Sequence, residues 1–348
     1  MKEFNINNLV RDNIKALQPY SSARDEFKEV NNEMVFIDAN ENPYHTGLNR
    51  YPDPQQHLVK EELSKIKGID KEQILLGNGS DEVLDLIFRV FCEPKVDSVI
   101  ALPPTYGMYK VLSATNDVEL INIPLLTNFQ PNVEEIIQEQ TPNTKLLFLC
   151  SPNNPTANSF DAEIIEKLIR EFQGIVVIDE AYVDFSTQES WLSRINEFPN
   201  LIITQTLSKA YGLAGIRLGI CYASKEIISI LNKIKPPYNI NQLTQDAALK
   251  NLLNQDKVKQ EIKEIIKERN QLVNDLEKVK IVEKVYPSDA NFLLVKVDDA
   301  NKRYNQLVRK GIVVRNRSNQ ILCENCLRFT VGTPKENEKL IEALKELN

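Results

Sequence analysis

The chain has 348 residues, 42% of them hydrophobic and 26% charged, with 49 acidic against 42 basic side chains and a formal charge of -7. That length exceeds a typical single core and predicts two packed domains, while the ordinary composition excludes a disordered, collagenous or low-complexity chain. The acidic balance opposes general attraction to nucleic acid or anionic lipid, and neither a signal-peptide core nor a membrane-length apolar run is present, so small-molecule partners and a cytoplasmic location are expected.

The first part carries an amphipathic segment near Val10 to Leu17, ended by Pro19, then a polar stretch and the extended run MVFIDANENPY. These read as an arm and connector, residues 1–45, with part of a small domain. From about Leu58 to Ile220, apolar strand-like runs alternate with helical periods: QILLGN, the helix DEVLDLIFRVF, DSVIALPP, VELINIPL, KLLFLCSP, a helix from Asp161 to Phe172, GIVVIDEAY and NLIITQTL. Such alternation predicts βαβ units, and runs of Ile, Val and Leu fit a parallel sheet covered on both faces. The expected fold is therefore α/β, with a large domain (46–245) whose mostly parallel sheet is sandwiched by helices.

Beyond Asn241 the texture changes to long charged helices. In DKVKQEIKEIIKERNQLVNDLEKV, the residues Val258, Ile262, Ile265, Ile266, Leu272 and Leu276 form one apolar stripe. NFLLVKV, a helix near Tyr304 to Lys310, GIVVRN, QILCENCLRFTVG and a closing helix then suggest a smaller α+β domain, residues 246–348.

Four segments carry chemistry. TQTLSKAYGLAGIRLG brings Lys209 into a Gly-rich, mostly uncharged setting after an apolar strand. An ordinary lysine titrates near ~10.4 and is a poor base at neutral pH, so use of Lys209 requires burial or a neighbouring cation such as Arg217, worth roughly 4 kcal/mol. In isolation the segment reads equally as a loop lysine reaching solvent. LLFLCSPNNPTANS ends a buried strand in a rigid turn at a sheet's carboxyl edge, where ligands of open α/β sheets bind. GIVVIDEAYVDF places Asp179, Glu180 and Tyr182 at the same edge; Asp179 there reads either as a turn residue or as a partner for a protonated pyridine nitrogen. In LLGNGSDEVLDLIF, Gly77 and Gly79 permit close backbone approach, and Ser80 is expected to cap a helix whose free N–H groups suit a phosphate. Asp81 and Glu82 would repel a dianion and are expected to point away.

These segments, in this order and spacing, resemble the aspartate-aminotransferase fold family, the fold type I enzymes dependent on pyridoxal 5'-phosphate (PLP). The resemblance implies that Lys209 binds the cofactor covalently and that Arg217 grips its phosphate. It further implies that Asp179 pairs with the pyridinium, that Tyr182 and Asn154 bond the ring oxygen, and that Tyr106 of PPTYGMY stacks on the ring. Thr206, Ser208, Ser80, Asp81 and Glu82 match positions around the phosphate. Within that family, RDNIKALQPY, NENPY, RYPDPQ, and GIVVRNRS followed by CLRFTVGT are similar to histidinol-phosphate aminotransferases. That similarity implies substrate contacts from Tyr20 and Asn40, a reach of Tyr51 to the cofactor phosphate of a neighbouring subunit, and an anion grip by Arg315 and Arg328. A homodimer is implied, as are histidinol phosphate and 2-oxoglutarate (returned as glutamate) as substrates. One departure is Ala157, where the family usually has Gly; a positive φ there would cost roughly 1 kcal/mol or more.

An aromatic amino acid aminotransferase and a threonine-phosphate decarboxylase share this architecture, and product identity separates them. A PLP-binding regulator is disfavoured by the acidic charge. Cys92, Cys150 and Cys221 lie in apolar stretches and read as buried thiols, and no disulfides are expected. Cys323 and Cys326 form a C-x-x-C without the partners a metal site needs, and predict a tight hairpin with Glu324 and Asn325 at its tip. No metal is expected. His45 and His57 read as loop polar groups, and Trp191 as a packing residue.

Overall fold

The computed structural model of the chain describes residues 4–20 and 35–347. The polar stretch that follows Tyr20, and Met34, lie outside the described residues. The chain builds two sheets from β1 (Ile74–Asn78), β2 (Ser98–Ala101), β3 (Glu119–Asn122), β4 (Thr144–Cys150), β5 (Ile175–Asp179), β6 (Leu201–Thr206), β7 (Leu218–Tyr222), β8 (Val282–Val285), β9 (Phe292–Val297), β10 (Arg315–Asn316) and β11 (Cys326–Thr330).

The large sheet runs β1-β7-β6-β5-β4-β2-β3, with β3, β2, β4, β5 and β6 mutually parallel and β7 antiparallel to both neighbours. Alternation along each strand serves two cores. Leu147 and Leu149 of β4 and Val176 and Ile178 of β5 face one. Leu146, Phe148, Ile175 and Val177 face the other, beside Leu84, Phe88 and Phe91 of helix Ser80–Phe91. Each fully buried side chain of this size contributes roughly 1.5–3 kcal/mol, which is why β4 is apolar from Leu146 to Cys150 and β5 from Ile175 to Ile178.

The small sheet, β10-β11-β9-β8, is antiparallel. Leu293, Val295, Leu327 and Phe329 pack against Leu340, Ile341 and Leu344 of helix Pro334–Lys345, while Phe292, Leu294 and Cys326, on the opposite face, join the core of the large sheet. Helix Gln255–Leu276 connects both bodies: Val258 lies in the large core, Leu272 and Leu276 in the small one.

Three local expectations are corrected. The segment from Ile6 to Ile14 packs on the large body rather than on the small one: Ile6, Val10 and Ile14 are buried beside Phe88 and Phe91, and Arg11 ion-pairs with Glu93 at 2.9 Å. The connector at 35–44 joins neither sheet, with Val35 and Ile37 82% and 91% exposed. His57 opens helix His57–Lys67, where its Nδ1 lies 2.9 Å from Asp53 Oδ2, so it is not a loop residue. Cys323 and Cys326 do bracket a tight turn, closed by Cys326 N–H donating to Cys323 O at 3.0 Å, but the turn ends a longer β10–β11 connection and is not a hairpin tip. All five cysteines are buried thiols.

Candidate active site

Parallel strands deliver their carboxyl ends to one edge, and β4, β5 and β6 are in register there: Cys150 pairs with Asp179, and Asp179 with Thr204. One pocket at that edge is lined by Ser80, Asp81, Tyr106, Asn154, Asp179, Tyr182, Thr206, Ser208, Lys209 and Arg217, together with Cys150, Ala181 and Ala214.

Lys209 sits on the loop between β6 and β7. Leu207 and Leu213 N–H groups close that loop on Leu218 and Leu207 carbonyls, and Gly212, at φ 66, turns the chain back so that its N–H reaches Lys209 O at 3.1 Å. Lys209 Nζ lies 5.6 Å from the centre of the Tyr182 ring. Burial holds its amine below the ordinary lysine range, followed by the charge of Arg328; Asp179 opposes the shift and Arg217 adds to it. The sequence expectation of a depressed lysine therefore has a physical basis, with Arg328 the stronger of the two cations.

Helix Ser80–Phe91 starts at the pocket. Its N-cap is Gly79, with no side-chain cap, so Ser80 is the first helical residue and not the cap expected from sequence. The open N–H groups and the positive end of the helix favour an anion. Arg217, itself at φ 55, crosses this start: its carbonyl accepts from Gly79 N–H at 2.9 Å, and a Cβ on Gly79 would stand 2.5 Å from Arg217 Nη2. Gly219 is equally required, since a Cβ there would stand 2.3 Å from Ser80 N. Thr206 Oγ1 accepts from Ser208 N–H at 3.1 Å and lies 3.0 Å from Ser208 Oγ, which fixes both hydroxyls on the same wall.

The two carboxylates after Ser80 diverge. Glu82 turns away and accepts from Asn78 N–H and Asn239 Nδ2, so it is removed from the pocket; the backbone N–H at the end of β1 and the Asn239 amide hold it. Asp81 faces inward, against expectation, and accepts from Tyr106 Oη at 3.0 Å while standing 3.7 Å from Arg217 Nη2. It orients the aromatic ring and balances the guanidinium.

Asp179 is 3% exposed and accepts from Tyr109 Oη at 3.0 Å and from Ala181 N–H at 3.2 Å. Burial pushes its carboxyl up, and those donors pull it back toward the ionised form. A protonated ring nitrogen would complete its charge balance. Tyr109 was missed from sequence although it stands three residues after Tyr106 in PPTYGMY; helix Met108–Thr115 gives it a different face, where its ring stacks on Phe148 at 4.7 Å. Tyr182 Oη accepts from Asn154 Nδ2 at 3.3 Å, and Asn154 Oδ1 accepts in turn from Arg328 Nη1 at 2.5 Å. Arg328 thus reaches the site from β11, with its guanidinium 5.1 Å over the Phe292 ring.

Four expected residues are not among those that line this pocket in the single chain. Tyr20 is 74% exposed, Asn40 is exposed at φ 55, and Arg315 is exposed on β10 opposite Arg328. Tyr51, 52% exposed, stacks on Tyr238 at 4.5 Å and lines a separate surface cleft with Glu41, Arg50 and Leu243.

The wall fits PLP. An uncapped helix start, two hydroxyls and Arg217 suit its phosphate; the buried Asp179 suits a pyridinium; Tyr106 offers a flat face; and Lys209 supplies the amine.

The profile of the family "Aminotransferase class I and II" matches residues 20–344. The histidinol-phosphate aminotransferase of Flavobacterium johnsoniae is 63% identical to this chain, with each chain covered in full. The crystal structure of the histidinol-phosphate aminotransferase from Clostridium acetobutylicum superimposes with a TM-score of 0.80 at 25% identity, covering 86% of this chain and 91% of that one. The enzyme from Sinorhizobium meliloti, solved in complex with pyridoxal-5'-phosphate, gives a TM-score of 0.78 at 24% identity over 86% of this chain and 82% of its own. The pocket built on Lys209, Asp179 and Arg217 is thus set in a chain that belongs to the class I and II aminotransferase family.

Proposed function

We propose that this chain is a PLP-dependent aminotransferase that transfers the amino group of L-histidinol phosphate to 2-oxoglutarate, giving imidazole-acetol phosphate and glutamate, a step of L-histidine biosynthesis. The observation that carries this reading is one pocket wall that collects Lys209, Asp179 and Arg217, with Arg328 fastened to it through Asn154. The choice of histidinol phosphate is supported by the full-length relative of that name.

When bound, PLP supplies an electron sink for the pair left as the amine-bearing carbon of the substrate gives up its proton. Lys209, whose amine is held below the ordinary lysine range by burial and then by Arg328, is the base that takes this proton and returns it. Asp179 keeps the ring nitrogen protonated. Tyr182 and Asn154 orient the ring oxygen, and Tyr106, held by Asp81, covers the ring face. Ser80, Thr206, Ser208 and Arg217 hold the cofactor phosphate.

Arg315 and Arg328 hold the anionic end of the substrate, because a guanidinium fork accepts either a carboxylate or a phosphate ester, so both substrates use one site in turn. The small C-terminal unit (246–348) brings Arg328 to the large cofactor-binding unit (46–245). Tyr20 and Asn40 contact the substrate, and Tyr51 reaches the cofactor phosphate of a second copy in a homodimer; all three are exposed in the single chain. The enzyme works in the cytoplasm; among the described residues no helix is long and apolar enough to cross a membrane.

A coupled assay tests the reading. With PLP-loaded protein and 2-oxoglutarate, histidinol phosphate should yield glutamate far faster than phenylalanine does, and threonine phosphate should release no carbon dioxide. Preference for phenylalanine, or carbon dioxide from threonine phosphate, would overturn the substrate. A gel-filtration mass of one chain would remove the role of Tyr51.

A further inference from the structure

Arg315, Arg317 and Arg328 share one face of the β10–β11 pair. The register places Arg315 opposite Arg328, and Arg317 N–H donates to Cys326 O at 2.9 Å, so the alternation continues through Arg317. The opposite face, Leu327 and Phe329, lies in the small core. Three guanidiniums therefore project from the side that meets the large body, where Arg328 bonds Asn154.

Arg317 differs from an ordinary surface arginine. Its Nε is buried without any hydrogen-bond partner, and among the described residues no carboxylate pairs with Arg315, Arg317 or Arg328. Its backbone is clamped on both sides, N–H to Cys326 O and carbonyl to Gln320 N–H at 2.9 Å, and Asn316 is tied to Asn301 and Ser318. A half-buried cation held this firmly beside two others, with no counterion, is costly unless an anion completes it. Its neighbours feel it: burial and then Arg317 bring Arg328 down to about 10, and Arg317 is itself lowered by burial and then by Arg315, with Tyr182 opposing.

We infer that Arg317 is the third member of the substrate anion site and sets its preference for a phosphate monoester dianion over a carboxylate. A carboxylate of the glutamate type carries one charge and is satisfied by a single fork; a phosphate monoester carries close to two above its second ionisation near ~6 and has a third oxygen to satisfy. Arg317 supplies that extra charge and donor. The inference rests on the histidinol-phosphate reading.

The test uses PLP-loaded wild type, Arg317→Gln and Arg317→Lys in single half-reactions with histidinol phosphate alone and L-glutamate alone. For Arg317→Gln the apparent dissociation constant of histidinol phosphate should rise about tenfold or more, with the glutamate constant changed far less, and Arg317→Lys should recover part of the loss. In wild type, affinity for histidinol phosphate should climb with pH through the second phosphate ionisation, and in Arg317→Gln this climb should flatten. Equal losses for both donors, or no loss for either, would overturn the inference while wild-type turnover of histidinol phosphate leaves the functional reading intact. Failure of wild type to accept histidinol phosphate would remove both.

Discussion

Arg328 Nη1 donates to Asn154 Oδ1 at 2.5 Å, which joins β11 of the small sheet to the turn that follows β4 of the large one. After burial, the same guanidinium does most to hold the Lys209 amine below the ordinary lysine range. One side chain thus couples the contact between the two bodies to the basicity of the amine.

Replacing it by Arg328→Met removes a cation from beside Lys209, which favours the protonated amine and moves its titration upward toward the ordinary lysine range. In cofactor-free protein, acylation of Lys209 followed by peptide mass spectrometry across pH should shift to higher pH. An unmoved or lowered profile would show that Arg328 does not act on Lys209.

Gly79→Ala should spare the fold and damage the anion site. The position has φ 79 and ψ 164, a conformation kept almost entirely to glycine that costs an L residue roughly 1–3 kcal/mol, and the new methyl would stand 2.5 Å from Arg217 Nη2. The guanidinium end gives way more easily than backbone, so it swings off the helix start. PLP titrated by absorbance should bind about tenfold more weakly, with the circular dichroism unchanged. Wild-type affinity would contradict this placement of Arg217.

Tyr109→Phe removes a donor that stabilises the ionised form of Asp179, whose carboxyl is already raised by burial. The sign follows directly: with that donor gone the carboxyl rises further, so ionised Asp179 needs a higher pH. The acid limb of kcat/KM should move upward, and a limb that stays put or moves down would argue that Tyr109 only fills space against Phe148.

Ala157 stands at φ 69 and is fully buried, with its N–H on Asn153 O and its carbonyl accepting from Asp289 N–H, both at 2.8 Å. The condition attached to this departure from the family pattern is met. Ala157→Gly relieves about 1 kcal/mol of left-handed strain and loses about 0.8 kcal/mol of methyl burial, so its urea midpoint should stay close to that of wild type. A loss above about 2 kcal/mol would mean that the methyl, not the backbone, governs this turn.

Much of this was legible before any coordinates, because apolar strands followed by Gly, Pro, Asn and Asp mark the carboxyl edge where a doubly covered sheet binds ligands. Lys209, Asp179, Asn154, Tyr182, Thr206, Ser208, Arg217, Ser80 and Tyr106 meet there. What stayed hidden depends on contacts remote in sequence. Tyr109 becomes a partner of Asp179 only once helix Met108–Thr115 packs on β4, and the direction in which Asp81 turns is decided by Tyr106. β7 was absorbed into the glycine-rich lysine segment, and β8, VEKV, has two exposed charged residues at its centre and little apolar signal. Arg317 looked like one charge among many until pairing of β10 with β11 put it on the face of Arg328.

The most direct test of the central claim is chemical. PLP-loaded protein is reduced with borohydride, digested and mapped by mass spectrometry. A pyridoxyl-phosphate mass increment on the peptide that contains Lys209 is the predicted result. The increment on any other lysine, or none at all, would contradict the site built here.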